Sequence, residues 1–175
     1  MYDNPISPEL LCERPQDAPL VDALIARAFG PGRFVKAAER LRENNRPDPD
    51  LSFVAWTDGK AVGCVRLWPV TIGETPALLL GPFAVDGAHR SQGLGAALIT
   101  RACEAAAEAG HALIVLVGDV DYFGPLGFSI ARDVVMPGPV DQRRVLVRAL
   151  KAGAGDELMG VVARLPSRGE PILGA

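Results

Sequence analysis

The stretch from Ala77 to Val117 leaves the chain little choice of fold. Ala77 to Val85 is apolar throughout, as a strand covered on both faces is. Leu94 to Ala109 carries Leu94, Leu98, Ala102 and Ala105 on one helical stripe and stops at Gly110. Leu113 to Val117 is a second apolar run. Strand, crossover helix, strand is a βαβ unit, so the two strands are expected to lie parallel in one sheet.

The rest of the chain supplies a different pattern. Ile6 to Arg14 reads as a short first strand interrupted by Pro8. Asp17 reads as the N-cap of a helix with Leu20, Leu24 and Ala28, and Val21 and Ile25, at helical spacing, ended by Gly30. Phe34 to Glu43 reads as a second helix, with Val35, Ala38 and Leu41 on one side. Asn44 to Asp50 is a loop, either a substrate-contacting lid or an inert connector. Leu51–Trp56 and Ala61–Val70 flank the turn signal Asp58-Gly59, and with Ala77–Val85 they predict an antiparallel meander. Downstream, a helical turn near Asp121–Leu126 precedes a strand opening at Gly127-Phe128. Arg144–Leu150 is expected as its hairpin partner, and Val161–Leu165 as an edge strand. The fold class is therefore α/β with a mixed sheet.

A chain of 175 residues with no internal repeat or linker is expected to be one domain over 1–175. Its patterned core runs from about 6 to 150, and the tail 151–175 is weakly patterned. The net charge of −3 argues against general nucleic-acid binding, which needs a basic face. The longest aliphatic stretch, Ala112 to Val117, is far short of the roughly 20 residues of a membrane helix. Cys12, Cys64 and Cys103 form no CxxC pair, so free thiols in a reducing cytoplasm, with no metal site, are the expectation.

One loop carries chemistry. Val85 to Ala96 joins the apolar strand to a helix N-terminus, where unsatisfied N–H groups and a partial positive charge can hold a phosphate. Gly93, Gly95 and Ala96 are small enough for close approach, and Arg90 adds a cation. The glycines alone would equally suit an ordinary tight turn. Leu98 stands where a dinucleotide fingerprint has its third glycine, and no GxxxxGK[ST] occurs.

Arg90-x-x-Gly93-x-Gly95, directly after Phe83-Ala84-Val85, resembles the acetyl-CoA motif of the GNAT superfamily of N-acetyltransferases. Tyr122-Phe123-Gly124-Pro125-Leu126-Gly127-Phe128 resembles that family's Tyr-bearing turn before Gly-Phe. The resemblance implies a sheet of about seven strands flanked by about four helices, with a splayed central parallel pair. It implies acetyl-CoA as cosubstrate and no metal. The backbones of Gln92, Gly93, Leu94, Gly95 and Ala96, with Arg90 and Ser91, would hold the pyrophosphate, and Phe83, Ala84 and Val85 would line the pantetheine. A primary amine of a small molecule or peptide would attack the thioester directly, and homodimers are common.

Two roles are poorly filled. The family's usual general acid, a Tyr, falls at Phe123, which could still pack against the pantetheine. Tyr122, one residue earlier, is a substitute acid, although buried packing is its plainer role. Phe123 at that position leaves open a module that binds acyl-CoA without turnover. No carboxylate lies on Ala77–Val85, so Glu74 and Asp119 are the nearest base candidates, each equally readable as a solvated surface charge, with ordered water or a low-pKa amine as the other route. His89 reads as an exposed loop residue, His111 as a neighbour of the helix end, and Arg143-Arg144 as a solvated strand start. Trp56 and Trp68 suit the core or the acceptor-pocket wall. A different α/β enzyme binding some other phosphate on the loop is the distant alternative.

Overall fold

The computed structural model describes residues 7–30 and 37–165. Ile6 of the expected first strand, Phe34 and Val35 of the expected second helix, and the tail from 166 lie outside them. Among the described residues the chain runs through β1 (Glu9–Cys12), α1 (Ala18–Phe29), α2 (Ala37–Arg40), β2 (Phe53–Thr57), β3 (Lys60–Ile72) and β4 (Thr75–Val85). It continues through α3 (Leu94–Glu108), β5 (Leu113–Val117), α4 (Val120–Phe123), β6 (Ser129–Ile130), β7 (Val134–Val135), β8 (Val145–Ala149) and β9 (Gly160–Arg164).

The sheet order is β1-β2-β3-β4-β5-β8-β6, with β9 pairing both β3 and β7. The nine described strands exceed the expected seven because β6 and β7 are two-residue pieces. β9 is more than an edge strand. It takes the side of β3 that β2 leaves free, Val70 to Ile72, and pairs β7 in parallel. Asp17 does not cap α1 with its side chain; its carboxylate instead accepts the Arg14 guanidinium and backbone N–H.

Alternation along the strands sorts the core into two faces. Phe53, Ala55 and Val65 pack with Leu98, Ile99 and Ala102 of α3. Val54, Cys64 and Ala84 turn the other way, onto Val21, Leu24 and Ile25 of α1. On β5, Ile114 and Leu116 join the α3 side, while Leu113 and Val115 join Trp68, Met136 and Val145 opposite. Leu20, counted in the helical stripe, is half exposed, because it points away from the face that docks. Burial pushes the Cys64 thiol up to about 12, which keeps it a protonated core residue.

The parallel pair is the part that positions the site. β4 and β5 pair only at Leu78↔Ile114 and Leu79↔Val115. Beyond that point β5 stays with β8, through Leu116↔Leu146 and Val117↔Val145. β4 departs with β3, whose register shifts between Val65 and Leu67, opposite Gly81-Pro82. Proline has no N–H to give a ladder, so the irregularity falls there. The expected splay is present, and it opens a cleft between the two strands.

Candidate active site

Two cavities share this cleft. The first, of about 470 Å³, is lined by Phe83, Ala84 and Val85 of β4 and by Arg90, Ser91, Gly93, Gly95 and Ala96 of the loop. The loop chain reverses through left-handed backbone at Ser91 (φ 61°) and Gly93 (φ 79°). The first bond of α3 runs from the Ala97 N–H to the Gly93 carbonyl at 3.0 Å, so the amides of Leu94, Gly95 and Ala96 have no intrahelical acceptor. A Cβ on Gly93 would meet nothing within 4 Å, which is open space above those amides. An anion such as a pyrophosphate fits this cradle by size and polarity.

The neighbouring residues divide between lining and bracing. Arg90 Nε donates to the Val85 carbonyl at 3.2 Å, tying the loop to the strand it leaves. Gln92 donates to the Ala88 carbonyl at 3.2 Å and does not line the cavity. The Leu94 side chain is buried among the α3 core residues, so only its amide can serve the loop. His89 is partly buried, with Nδ1 4.0 Å from the Asp86 carboxylate.

The second cavity, of about 520 Å³, lies on the other side of Phe83. Its wall comes from α1 (Asp22, Ile25, Phe29), the α2 end (Glu39, Arg42), β3 (Arg66, Trp68), the β5–α4 turn (Gly118, Asp119) and Pro139–Arg144. The two cavities meet at Phe29, Phe83 and Tyr122. Tyr122 is 45% exposed, which corrects the expectation of buried packing. Its ring lies 6.2 Å from Phe83 and 4.9 Å from Phe123. A Cβ on Gly95 would collide with the Tyr122 hydroxyl, so that glycine lets the phenol stand over the first turn of α3. Partial burial pushes the Tyr122 pKa up, so the phenol is protonated at neutral pH. Phe123 is buried edge-on against Phe128 and lines only the larger cavity.

Of the two base candidates, Asp119 is on the cavity wall, its Oδ1 accepting the Asp121 N–H at 2.9 Å. Glu74 sits in the β3–β4 turn at the far end of β4 and does not line it. Trp68 is at once core and wall, with Nε1 donating to the Gly81 carbonyl at 2.5 Å. Trp56 packs under α1 and is core alone. The loop 44–50 is tied to the body and lines neither cavity: Asn45 donates to the Leu41 and Pro69 carbonyls, and the Asp48 N–H to the Leu67 carbonyl.

Sequence reasoning missed the charges of this wall. Arg66 donates twice to Glu13, at 2.6 and 2.9 Å, and once to Asp22 at 3.1 Å. Burial alone would lower its pKa, but the bonds and charge of Glu13, then of Asp22, outweigh that and raise it. The available signal was a lone charge inside the apolar run Ala61–Val70. Arg144 is exposed directly before β8, as a solvated strand start should be, and it also lines the cavity. Among the described residues, no group of three His, Cys, Asp or Glu is arranged to hold a metal, and no helix is long and apolar enough to cross a membrane.

Residues 19–124 match the model of the acetyltransferase (GNAT) family. The uncharacterized N-acetyltransferase YhbS of Escherichia coli K12 is 34% identical over 122 residues, covering 68% of this chain and 72% of that protein. The uncharacterized N-acetyltransferase YjhQ of the same strain is 30% identical over 128 residues, covering 70% and 71%. The crystal structure of E. coli YhbS in complex with CoA superposes with a TM-score of 0.81 at 28% identity, covering 94% of this chain and 93% of that one. A Brucella melitensis GNAT acetyltransferase in complex with acetyl-CoA gives 0.68 at 28% identity, covering 90% and 96%. With its fold, its loop and these relatives in agreement, the chain belongs to the GNAT family of N-acetyltransferases.

Proposed function

We propose that this enzyme transfers the acetyl group of acetyl-CoA to a primary amine by direct attack in a ternary complex. The observation that carries the reading is the meeting of two cavities at Phe83 and Tyr122. One is cut for a phosphate-bearing arm and the other has room for a second molecule. The CoA-bound E. coli relative and the acetyl-CoA-bound Brucella protein support the choice of cosubstrate.

The residues divide the work as follows. The amides of Ser91 to Ala96, at the positive end of α3, hold the pyrophosphate, with Arg90 beside them. Phe83, Ala84 and Val85 offer the pantetheine a strand edge free of β5. The cosubstrate supplies an activated thioester. The amine attacks from the larger cavity once neutral, its proton leaving through solvent by way of Asp119. The new bond is N–C and the bond broken is C–S. Tyr122 gives its phenolic proton to the departing sulfur, the acylated nitrogen sheds its extra proton to solvent, from which Tyr122 is reprotonated, and Phe123, lacking a hydroxyl, only packs.

Thermal-shift titration tests the first half. Acetyl-CoA is expected to raise the melting temperature where NAD and ATP do not. Thiol release over an amine library tests the second half. Stabilisation without turnover on any amine would reduce the protein to an acyl-CoA sensor, and no stabilisation would refute the loop assignment.

A further inference from the structure

The larger cavity contains a buried arginine whose donors are mostly unused. Arg42 is 13% exposed at its side chain and closes the α2 end of the wall. Nη1 donates to Glu39 Oε2 at 3.0 Å. Nε is fully buried with no partner, and no hydrogen bond from Nη2 falls among the described residues. A guanidinium has five donors, and buried donors are ordinarily filled. Arg66, by contrast, spends both faces of its fork on Glu13 and Asp22.

The place of Arg42 is fixed from two sides. Its guanidinium lies 5.9 Å from the Trp68 ring centroid, and Trp68 is itself anchored on the Gly81 carbonyl. Nη2 stands against Gly81, where a Cβ would come within 2.8 Å of it, so the absent side chain makes the room. Burial is the main force lowering the Arg42 pKa. Glu39 offsets part of it and neighbouring Arg66 adds to it. A further anion would relieve both.

We infer that the acceptor is an amine that also carries a carboxylate, and that Arg42 receives that carboxylate at the end of the cavity formed by α2 and β4. The terminal N–H groups left on Nη1 and Nη2 suit one planar carboxylate, while the enclosed Nε stays out of its reach. A phosphate dianion would meet Glu39 and Asp22, and Arg66 beside them already spends its charge on Glu13 and Asp22. A cavity of about 520 Å³ suits a small molecule such as an amino acid, its amine toward Phe83 and Tyr122. The inference rests on the proposed acetyl transfer and adds the acceptor's chemistry.

The test uses matched triplets: free α-amino acids, their carboxamides and their decarboxylated amines, each with acetyl-CoA and thiol release as the readout. In parallel, the CoA-bound protein is titrated with N-acetyl amino acids and with N-acetyl amino acid amides. The acid member is expected to lead in kcat/KM by at least about tenfold, chiefly through KM, and only acid products bind. Arg42→Gln is expected to erase that preference while leaving the CoA Kd unchanged, and Arg42→Lys to restore part of it. Glu39→Gln, which removes a competing charge, is expected to lower KM for the acids and serves if Arg42→Gln fails to fold. The inference is overturned if amides or plain amines match the acids, or if the preference survives Arg42→Gln. It is equally overturned if no acid is acetylated and no N-acetyl amino acid binds. Loss of CoA binding in the wild type would strike the underlying acetyl transfer, whereas brisk turnover of uncharged amines alone strikes only the role of Arg42.

Discussion

The two cavities are built in opposite ways. The loop side is mostly one continuous piece of chain, Phe83 to Ala96, closed by Ala28, Phe29 and Tyr122, and it offers backbone amides and missing side chains. The larger cavity is assembled from six separated segments and presents charged side chains, Arg42, Arg66, Glu39, Asp22 and Asp119 among them. Backbone donors are fixed by φ and ψ, so a short motif specifies them. A side-chain constellation depends on how α1, α2, β3 and the turn before β8 are packed together. The difference teaches that the loop cavity is set by local geometry and the larger cavity by tertiary placement.

Four substitutions would break or sharpen that contrast. The largest effect is expected from Arg66→Ala. It strands Glu13, whose side chain is 9% exposed, in a dry wall and should cost about 3–5 kcal/mol of stability, read by urea unfolding. A loss under about 1 kcal/mol would mean that Glu13 finds water or another partner. Gly93→Glu comes next. It puts an L residue at φ 79° and a carboxylate in the anion cradle, and should weaken acetyl-CoA binding by roughly 100-fold with the fold intact. Unchanged affinity in a titration would remove the loop from the pyrophosphate site.

Tyr122→Phe should lower kcat by roughly 10- to 100-fold and leave the acetyl-CoA Kd within about twofold. The sign of the pH effect follows from burial, which raises the phenol above its ordinary pKa of about 10. The acid therefore stays protonated below that value, and an alkaline limb in kcat should appear only above about pH 10 and vanish in the Phe variant. A rate equal to wild type at every pH would take Tyr122 out of proton transfer. The smallest effect is expected from Asn45→Ala, which removes two hydrogen bonds from a connector and should cost about 1 kcal/mol. Acceptor KM should not move; a shift would make loop 44–50 part of the site after all.

Much of the frame was legible in the chain itself. Leu113–Val117 is observed at its expected bounds, and α3 differs from expectation only in its last residue, Ala109. These segments have strong periodicity and sharp stops. Tyr122 was misjudged because one short turn, Val120–Phe123, is too brief for helical spacing to say which side chain points outward. Arg144 and the α2 wall were invisible because a charge near a strand start looks the same whether it faces bulk water or a cleft. β7 was missed because two residues carry no period, and only β9, some twenty-five positions later, gives it a partner.

The sequence by itself determined the apolar strands, the crossover helix and the small-residue loop between them, because each is a matter of local period, volume and backbone freedom. On the proposed reading, the amides of one loop hold an anionic cosubstrate without a positive field across a chain of net charge −3. Only the tertiary structure decided what faces that loop. The splay of β4 from β5 brings Tyr122 over Gly95 and lines the opposite wall with Arg42, Arg66 and Asp119. Residues so far apart in the chain meet because burial of both sheet faces fixes where α1, α2 and the turn before β8 can pack.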